Sequence, residues 1–200
     1  MIEIYKGYEI EEEGNKVKIR GVRDFDPVHT FECGQCFRWY READGSYTGV
    51  VRGRAVNLSW KNGELILDNV NSDEFKQLWF DYFDLGRDYT EIKKKVSIDE
   101  TMKKAVEFGH GIRILRQEPW EALISFIISS NNRIPRIMKI IADLSRYYGK
   151  EIIYNGKKYY SFPDVESLAA CSLEQLQLCR AGYRCGYIHK TAAQIALGEF

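Results

Sequence analysis

The N-terminal part of the chain alternates apolar and polar residues with a period of two, which is the pattern of half-buried β-strands. Runs of this kind are Ile2–Tyr5, Val17–Ile19, Tyr47–Val51, Val56–Trp60 and Leu65–Leu67. The dipeptides Asp44-Gly45 and Asn62-Gly63 between them are strong hairpin signals, because Gly and Asn tolerate positive φ. This part of the chain is therefore predicted to form an antiparallel sheet.

The period becomes helical at Ser72, with Ser72 or Asn71 suited to be the N-cap. The apolar residues that follow at helical spacing are Phe75, Leu78, Trp79 and Tyr82. We place a domain boundary near Val96, so that residues 1–96 form a sheet domain with short helices and residues 97–200 form a helical domain.

Two apolar helices are predicted in the second half of the chain. The first is Glu118–Ile128, where Pro119 suits a first helical turn. The second has an apolar stripe from Ile134 to Leu144, and we expect Gly149 to end it as a left-handed C-cap. Beyond it we predict a hairpin at Asn155-Gly156, short helices opening at Pro163-Asp164 and at Ser172, and a last helix from about Gly186.

Composition narrows the class of protein. Apolar residues make up 44% and charged residues 29%, which is typical of a globular protein, and no window resembles a signal peptide or a membrane span. Basic and acidic residues balance at 29 each, so any nucleic-acid surface must be a local patch. Five cysteines without dense spacing fit reduced thiols, and we predict a cytoplasmic protein that binds no membrane.

Cys33 and Cys36 have the spacing of a redox dithiol or of half a zinc site. A redox motif needs a βαβ setting, and zinc needs two more ligands, for which only Cys185 and His189 are suggestive. The simpler interpretation is two small buried thiols, and we expect no metal.

Ser129-Ser130-Asn131-Asn132 lies between the two apolar helices and is followed by Arg133 and Arg136. It is either a helix-helix turn with an asparagine N-cap or a base-reading segment, since amide and guanidinium groups read base edges. Farther on, Gly182-Tyr183-Arg184 is a Gly-flanked loop. An exposed Tyr beside Arg suits nucleic-acid stacking, and a core Tyr with a solvated Arg is the ordinary alternative.

Three segments together resemble, in order and spacing, the signature segments of the 8-oxoguanine DNA glycosylase family. They are Gly34–Trp39, Ser125–Asn132 and Gly182–Arg184. The resemblance implies an α+β fold, in which a TATA-binding-protein-like antiparallel sheet domain precedes a helical domain. It also implies excision of 8-oxoguanine opposite cytosine by base flipping in duplex DNA, with an associated AP-lyase activity.

The resemblance assigns roles to five residues. The glycine matching Gly34 offers its carbonyl to the N7 proton that distinguishes 8-oxoguanine from guanine. The tyrosine matching Tyr183 fills the gap left by the flipped base. Residues matching Asn131, Arg136 and Arg184 hydrogen-bond the orphaned cytosine, which presents two acceptors and an amine.

Catalysis in the family uses a lysine that attacks the sugar C1′, with an aspartate assisting. By spacing from Tyr183, both positions fall past Phe200. We therefore expect no catalytic residue in this chain, a helical domain lacking its helix-hairpin-helix part, and no activity from these residues alone. The expected partner is double-stranded DNA containing 8-oxoguanine, bound by a monomer without a cofactor.

Two alternatives stay open. One is a glycosylase of the same superfamily that acts on another damaged base, although Gly34 and the three cytosine-reading residues would then lack a purpose. The other is a non-catalytic DNA-binding or interaction module.

Overall fold

The computed structural model describes residues 2–199, and the chain divides into two compact units. The first unit is Met1–Gly49 with Val56–Arg116, and the second is Val50–Ala55 with Gln117–Phe200. The division thus falls after Arg116, whereas the sequence pattern placed it near Val96. Lys93 pairs with Asp24, which attaches the helix that carries Lys93 to the first unit. The change of hydrophobic period marks a change of secondary structure and not the edge of a packing unit.

A seven-stranded sheet dominates the first half of the chain. Its strands are β1 (Ile2–Tyr5), β2 (Tyr8–Glu13), β3 (Lys16–Arg20), β4 (Trp39–Arg41), β5 (Tyr47–Val51), β6 (Arg54–Lys61) and β7 (Glu64–Asp68), in the order β1-β2-β3-β7-β6-β5-β4. The antiparallel register sets Ile10 opposite Ile19 and Val17 opposite Leu67, and all four side chains are fully buried. The prediction of an α+β fold with an antiparallel sheet is confirmed.

Strands β2 and β4 were not predicted. In β2 the run Glu11-Glu12-Glu13 hides the alternation, because Ile10 is the one buried residue of the strand. Strand β4 is only three residues long, too short to show a period.

The helices of the first unit are short. They are α1 (Pro27–Phe31), α2 (Ser72–Glu74), a π-helical turn (Phe75–Trp79), α3 (Phe80–Tyr82), α4 (Tyr89–Val96) and α5 (Glu100–Phe108). The N-cap at Asn71 is confirmed, and it forms a capping box with Glu74. The turn after it is π-helical, and it buries Phe75 and Trp79 completely.

The second unit is mostly helical. Its elements are α6 (Pro119–Ser129), α7 (Ile134–Tyr148), β8 (Glu151–Tyr154), β9 (Lys157–Tyr160), α8 (Val165–Ala169), α9 (Leu173–Gln177) and α10 (Arg184–Ala196). The hairpin at Asn155-Gly156 is confirmed, with φ of 48° and 70° at the two turn residues. Asp164 and Ser172 cap α8 and α9 as predicted. None of the helices described between residues 2 and 199 is long and apolar enough to cross a membrane.

The expected left-handed C-cap at Gly149 is wrong. Gly149 follows α7 in an extended conformation, with φ −89° and ψ 170°. A Cβ at this position would lie 1.9 Å from the carbonyl oxygen of Ser161, so a side chain has no room. The glycine permits close backbone packing and is not required for its φ.

Candidate nucleic-acid interface

Gly34 lies in a series of bends directly after α1, in the first unit. Helix α1 begins after Asp26, whose carboxylate accepts a 2.9 Å hydrogen bond from the amide of His29. At Gly34 the chain turns with φ +86°, a conformation that L side chains rarely adopt. The residue is partly exposed. Its backbone is therefore partly reachable from solvent, and the residue carries no side chain of its own to cover it.

Gln35 fixes this bend, a role that the sequence did not reveal. Its Nε2 donates to the carbonyl oxygens of Thr30 and Arg113, both at 2.8 Å, and its Oε1 accepts from the amide of Leu115 at 3.0 Å. Only an amide side chain can donate twice and accept once in this way. Two of the three partners lie 78 and 80 residues away in the chain, so no local pattern announces them.

Gln35→Glu is expected to destabilise the first unit. The new carboxylate faces the Thr30 and Arg113 carbonyl oxygens and has no proton to offer either. We expect the free energy of unfolding to fall by about 2 kcal/mol, in the range for buried acceptors left without donors. Urea unfolding at neutral pH measures the change. Gln77→Glu, an exposed change in the same unit, serves as the control, and an equal loss in both variants would refute the role of Gln35.

The two cysteines beside Gly34 differ in exposure. Cys36 is buried, as expected of a small thiol, whereas Cys33 is exposed, contrary to that expectation. Their Sγ atoms lie 3.5 and 3.8 Å from the last carbonyl oxygens of α1, those of Thr30 and Phe31. Across residues 2–199, no cluster of three or more His, Cys, Asp or Glu side chains could hold a metal ion.

Asn132 closes the loop between α6 and α7. Its Nδ2 donates to the carbonyl oxygen of Ile128 at 3.0 Å, and its Oδ1 accepts from the amide of Arg133 at 2.9 Å. Arg133 itself occupies the N-cap position of α7 and makes no side-chain cap. The interpretation with an asparagine N-cap is therefore wrong, because the Asn132 side chain bonds to the end of α6 and to the adjacent Arg133 amide.

Asn131 precedes it in a left-handed conformation, with φ +47°, which Asn tolerates better than most residues. Asn131 is exposed, and its side-chain amide makes no hydrogen bond within the described part of the chain. An amide in this setting has both a donor and an acceptor to offer a ligand.

Arg184 is 3% exposed and ties two loops together. Its Nε and Nη2 donate to the Ser130 carbonyl oxygen at 3.2 and 2.5 Å, and Nη2 also donates to that of Asn131 at 3.0 Å. Nη1 donates to the Ala181 carbonyl oxygen at 3.4 Å. The buried guanidinium donates to carbonyls of the asparagine loop and of its own loop, so the alternative interpretation with a solvated Arg is wrong.

Tyr183 projects from the start of α10 and is 62% exposed, as the base-stacking interpretation requires. The Arg184 Cζ lies 4.4 Å from the centre of its ring. Tyr187, one helical turn later, meets the same ring edge-on, with centroids 6.2 Å apart and an interplanar angle of 88°. These two contacts hold an exposed aromatic ring in a defined orientation.

Arg136 completes the group from the first turn of α7. It is exposed, and its Nη2 lies 3.5 Å from the Arg180 carbonyl oxygen. Of the five predicted site residues, the second unit therefore brings together Asn131, Arg136, Tyr183 and Arg184. Gly34 lies in the first unit.

Cys179 and Cys185 flank the loop that contains Tyr183, and both are buried. Burial raises the pKa of the Cys179 thiol to about 12, and it also raises the pKa of Cys185. At neutral pH both thiols stay protonated, which makes them poor metal ligands and poor nucleophiles.

The family model for the N-terminal domain of 8-oxoguanine DNA glycosylase matches residues 18–123. A protein called MBOgg1, solved with a low-affinity DNA ligand, is 51% identical with a TM-score of 0.94, over 96% of this chain and 67% of that one. A second similar structure is that of the Clostridium acetobutylicum 8-oxoguanine glycosylase/lyase with DNA that carries cytosine opposite 8-oxoguanine. It is 46% identical with a TM-score of 0.94, and the match covers 96% of this chain and 66% of the Clostridium chain.

One curated relative is also a glycosylase/lyase. The N-glycosylase/DNA lyase of Saccharomyces cerevisiae is 35% identical over 183 residues, which is 84% of this chain and 49% of the yeast protein. The chain thus spans about half the length of that relative.

The sheet, the helices and the arginine-rich loops define a DNA glycosylase fold. More narrowly, the chain belongs to the 8-oxoguanine DNA glycosylase family, whose model matches more than half of its residues.

Proposed function

We propose that the protein containing this chain excises 8-oxoguanine paired with cytosine from duplex DNA and then nicks the strand as a lyase. The observation that carries the proposal is the convergence of Asn131, Arg136, Tyr183 and Arg184 on one pair of loops. The sequence similarity to glycosylase/lyases supports it. The protein would act as a monomer in the cytoplasm, on the nucleoid in a bacterial or archaeal cell.

Lesion recognition falls to the backbone of Gly34. In 8-oxoguanine N7 carries a proton, whereas in guanine it carries a lone pair. The Gly34 carbonyl would accept a hydrogen bond from the lesion and repel the normal base, which would leave two acceptors facing each other. The positive φ and the missing Cβ let a planar base approach the main chain.

The tyrosine fills the space that the flipped base leaves. Extruding a base costs a few kcal/mol in lost pairing and stacking, and an inserted ring recovers part of the stacking. Tyr183 is suited to this because its ring is exposed and yet held by Arg184 and Tyr187 before DNA arrives.

Recognition of the orphaned cytosine is shared among three side chains. Cytosine offers acceptors at O2 and N3 and a donor at N4. Arg184 donates four of its five N–H groups to main-chain carbonyls, so it would give the base its remaining Nη1 hydrogen. Arg136, with one long contact to Arg180, would supply the second donor. The Asn131 amide oxygen would accept from N4.

Borohydride trapping tests the proposal, because it captures the Schiff base between a lyase and the sugar. The protein containing this chain is expected to be trapped on a duplex with 8-oxoguanine opposite cytosine and not on undamaged duplex. The 200-residue chain alone is expected to give no adduct, since none of its lysines matches the family's nucleophile.

Two other results would reject the proposal. Release of an alkylated base with no action on 8-oxoguanine would favour the related class of glycosylase. DNA binding without any excision by the protein containing this chain would favour a non-catalytic module.

A further inference from the structure

We propose that Arg180 contacts a DNA phosphate and so positions the DNA backbone beside Tyr183, the wedge residue that fills the space left by the flipped base. This inference rests on the proposed function. Neither the family resemblance nor the recognition roles above assign anything to this residue. Three observations carry it: the backbone conformation of Arg180, the state of its guanidinium and the charges around it.

The backbone conformation at Arg180 is one that glycine adopts more easily than arginine. Its φ is +57°, in the left-handed region, and its amide donates to the Gln177 carbonyl oxygen at 2.9 Å to close the end of α9. This is the position after a helix where glycine is the usual residue, because any Cβ is strained there. Glycine would make the same turn without that strain, so the arginine has to be explained by its side chain.

The side chain makes no contribution to the fold that would explain it. Arg180 is exposed, and within residues 2–199 its guanidinium has neither a hydrogen bond nor an ion pair. Only its backbone groups are used, the carbonyl oxygen accepting from Arg136 at 3.5 Å. Five N–H donors are therefore directed to solvent from the loop that carries the wedge.

The surroundings of this loop are positive. Arg136 donates to the Arg180 carbonyl, and Arg184 donates to the carbonyl of the next residue, Ala181. Two further guanidinium groups therefore contact the backbone of the loop that carries the Arg180 side chain. Arginine binds phosphate with two parallel hydrogen bonds, and phosphate contacts set the register of a protein on a duplex. A strand kinked around an inserted tyrosine brings its phosphates to this loop.

The conformation alone does not single out Arg180, because Arg52 also has a left-handed φ, of +47°, at the tip of the hairpin between β5 and β6. Arg52 follows no helix, and its loop contains no exposed aromatic residue. It therefore provides a matched control, an exposed arginine with the same backbone conformation in the same unit.

The test measures duplex binding by the protein containing this chain, on DNA with 8-oxoguanine opposite each of the four bases, over a range of salt. Arg180→Gly is expected to raise the melting temperature, since strain is relieved, and yet to weaken binding by the same factor for every opposite base. The slope of log affinity against log salt is expected to fall by about one, the value for one lost phosphate contact.

Three further variants isolate the cause. Arg180→Gln keeps the backbone strain and is expected to lose affinity like Arg180→Gly. Arg180→Lys is expected to keep the salt slope, because it keeps the charge. Arg52→Gly is expected to leave affinity and slope unchanged.

The outcomes separate the inference from the proposed function. If the parent protein binds and excises 8-oxoguanine but Arg180→Gly and Arg180→Gln keep its affinity and salt slope, the inference is wrong and the proposed function stands. If the variants lower affinity only opposite cytosine, Arg180 reads the base and the phosphate contact is wrong. If the parent protein shows no salt-dependent duplex binding, the proposed function fails and the inference fails with it.

Discussion

Arg184→Ala is expected to remove most of the preference for cytosine opposite the lesion and to destabilise the second unit as well. The preference over adenine is expected to fall by ~1–3 kcal/mol, the value of one good contact between a side chain and a base. The free energy of unfolding is expected to fall by about 3 kcal/mol, since the Ser130, Asn131 and Ala181 carbonyls lose a charged donor.

Arg136→Ala is the matched comparison for this prediction. It removes an exposed arginine with one long contact, so its stability is expected to change by less than about 0.5 kcal/mol while selectivity still falls. Single-turnover excision opposite cytosine, adenine, guanine and thymine gives the selectivity, at a temperature where circular dichroism shows each variant folded. If Arg184→Ala slows all four reactions by the same factor, its role in reading cytosine is wrong and it is a structural clamp alone.

Gly34→Ala is expected to slow excision of 8-oxoguanine by about 100-fold, the effect of misplacing a reacting group by about 1 Å. Two causes act together. An alanine at φ +86° strains the bend, and its methyl group stands between the main chain and the incoming base. Discrimination between 8-oxoguanine and guanine is expected to fall too, because the methyl group would keep the N7 proton from reaching the main-chain carbonyl.

Gly45→Ala separates these causes. Gly45 has nearly the same φ, +83°, in the first unit, and a Cβ there would meet no atom within 4 Å. The two variants are expected to lose similar stability in thermal unfolding, and only Gly34→Ala is expected to lose activity. Normal excision by Gly34→Ala would show that the lesion is read elsewhere.

Much of the fold could be predicted from local signals. Alternation and turn dipeptides identified five of the seven strands of the sheet, and caps such as Asn71, Asp164 and Ser172 began helices where expected. The predictions that failed depend on contacts between residues far apart in the sequence. The glycine after α7 gave no sign that its neighbour is Ser161, and the boundary between the units depends on pairs such as Lys93 with Asp24.

The candidate site shows the same limit. The motif around Gly34 and the Tyr183-Arg184 pair were visible in the sequence, but the sequence did not show that Arg184 is buried or that Gln35 bonds to residues on distant parts of the chain. Side-chain type predicts which groups a residue can donate or accept. It does not predict which of them the protein's own backbone has already taken.

The bonds from Arg184 to two loops have a thermodynamic consequence for the search along DNA. Because the Asn131 and Ala181 carbonyls accept from one guanidinium, the loop proposed to read cytosine and the loop that carries Tyr183 are tied together before any base would be extruded. The conformational entropy of ordering them is lost when the protein folds and not when it meets the lesion. If the protein reads DNA as proposed, we therefore expect the reading of each base pair to be brief, since neither of these loops would have to order around the gap.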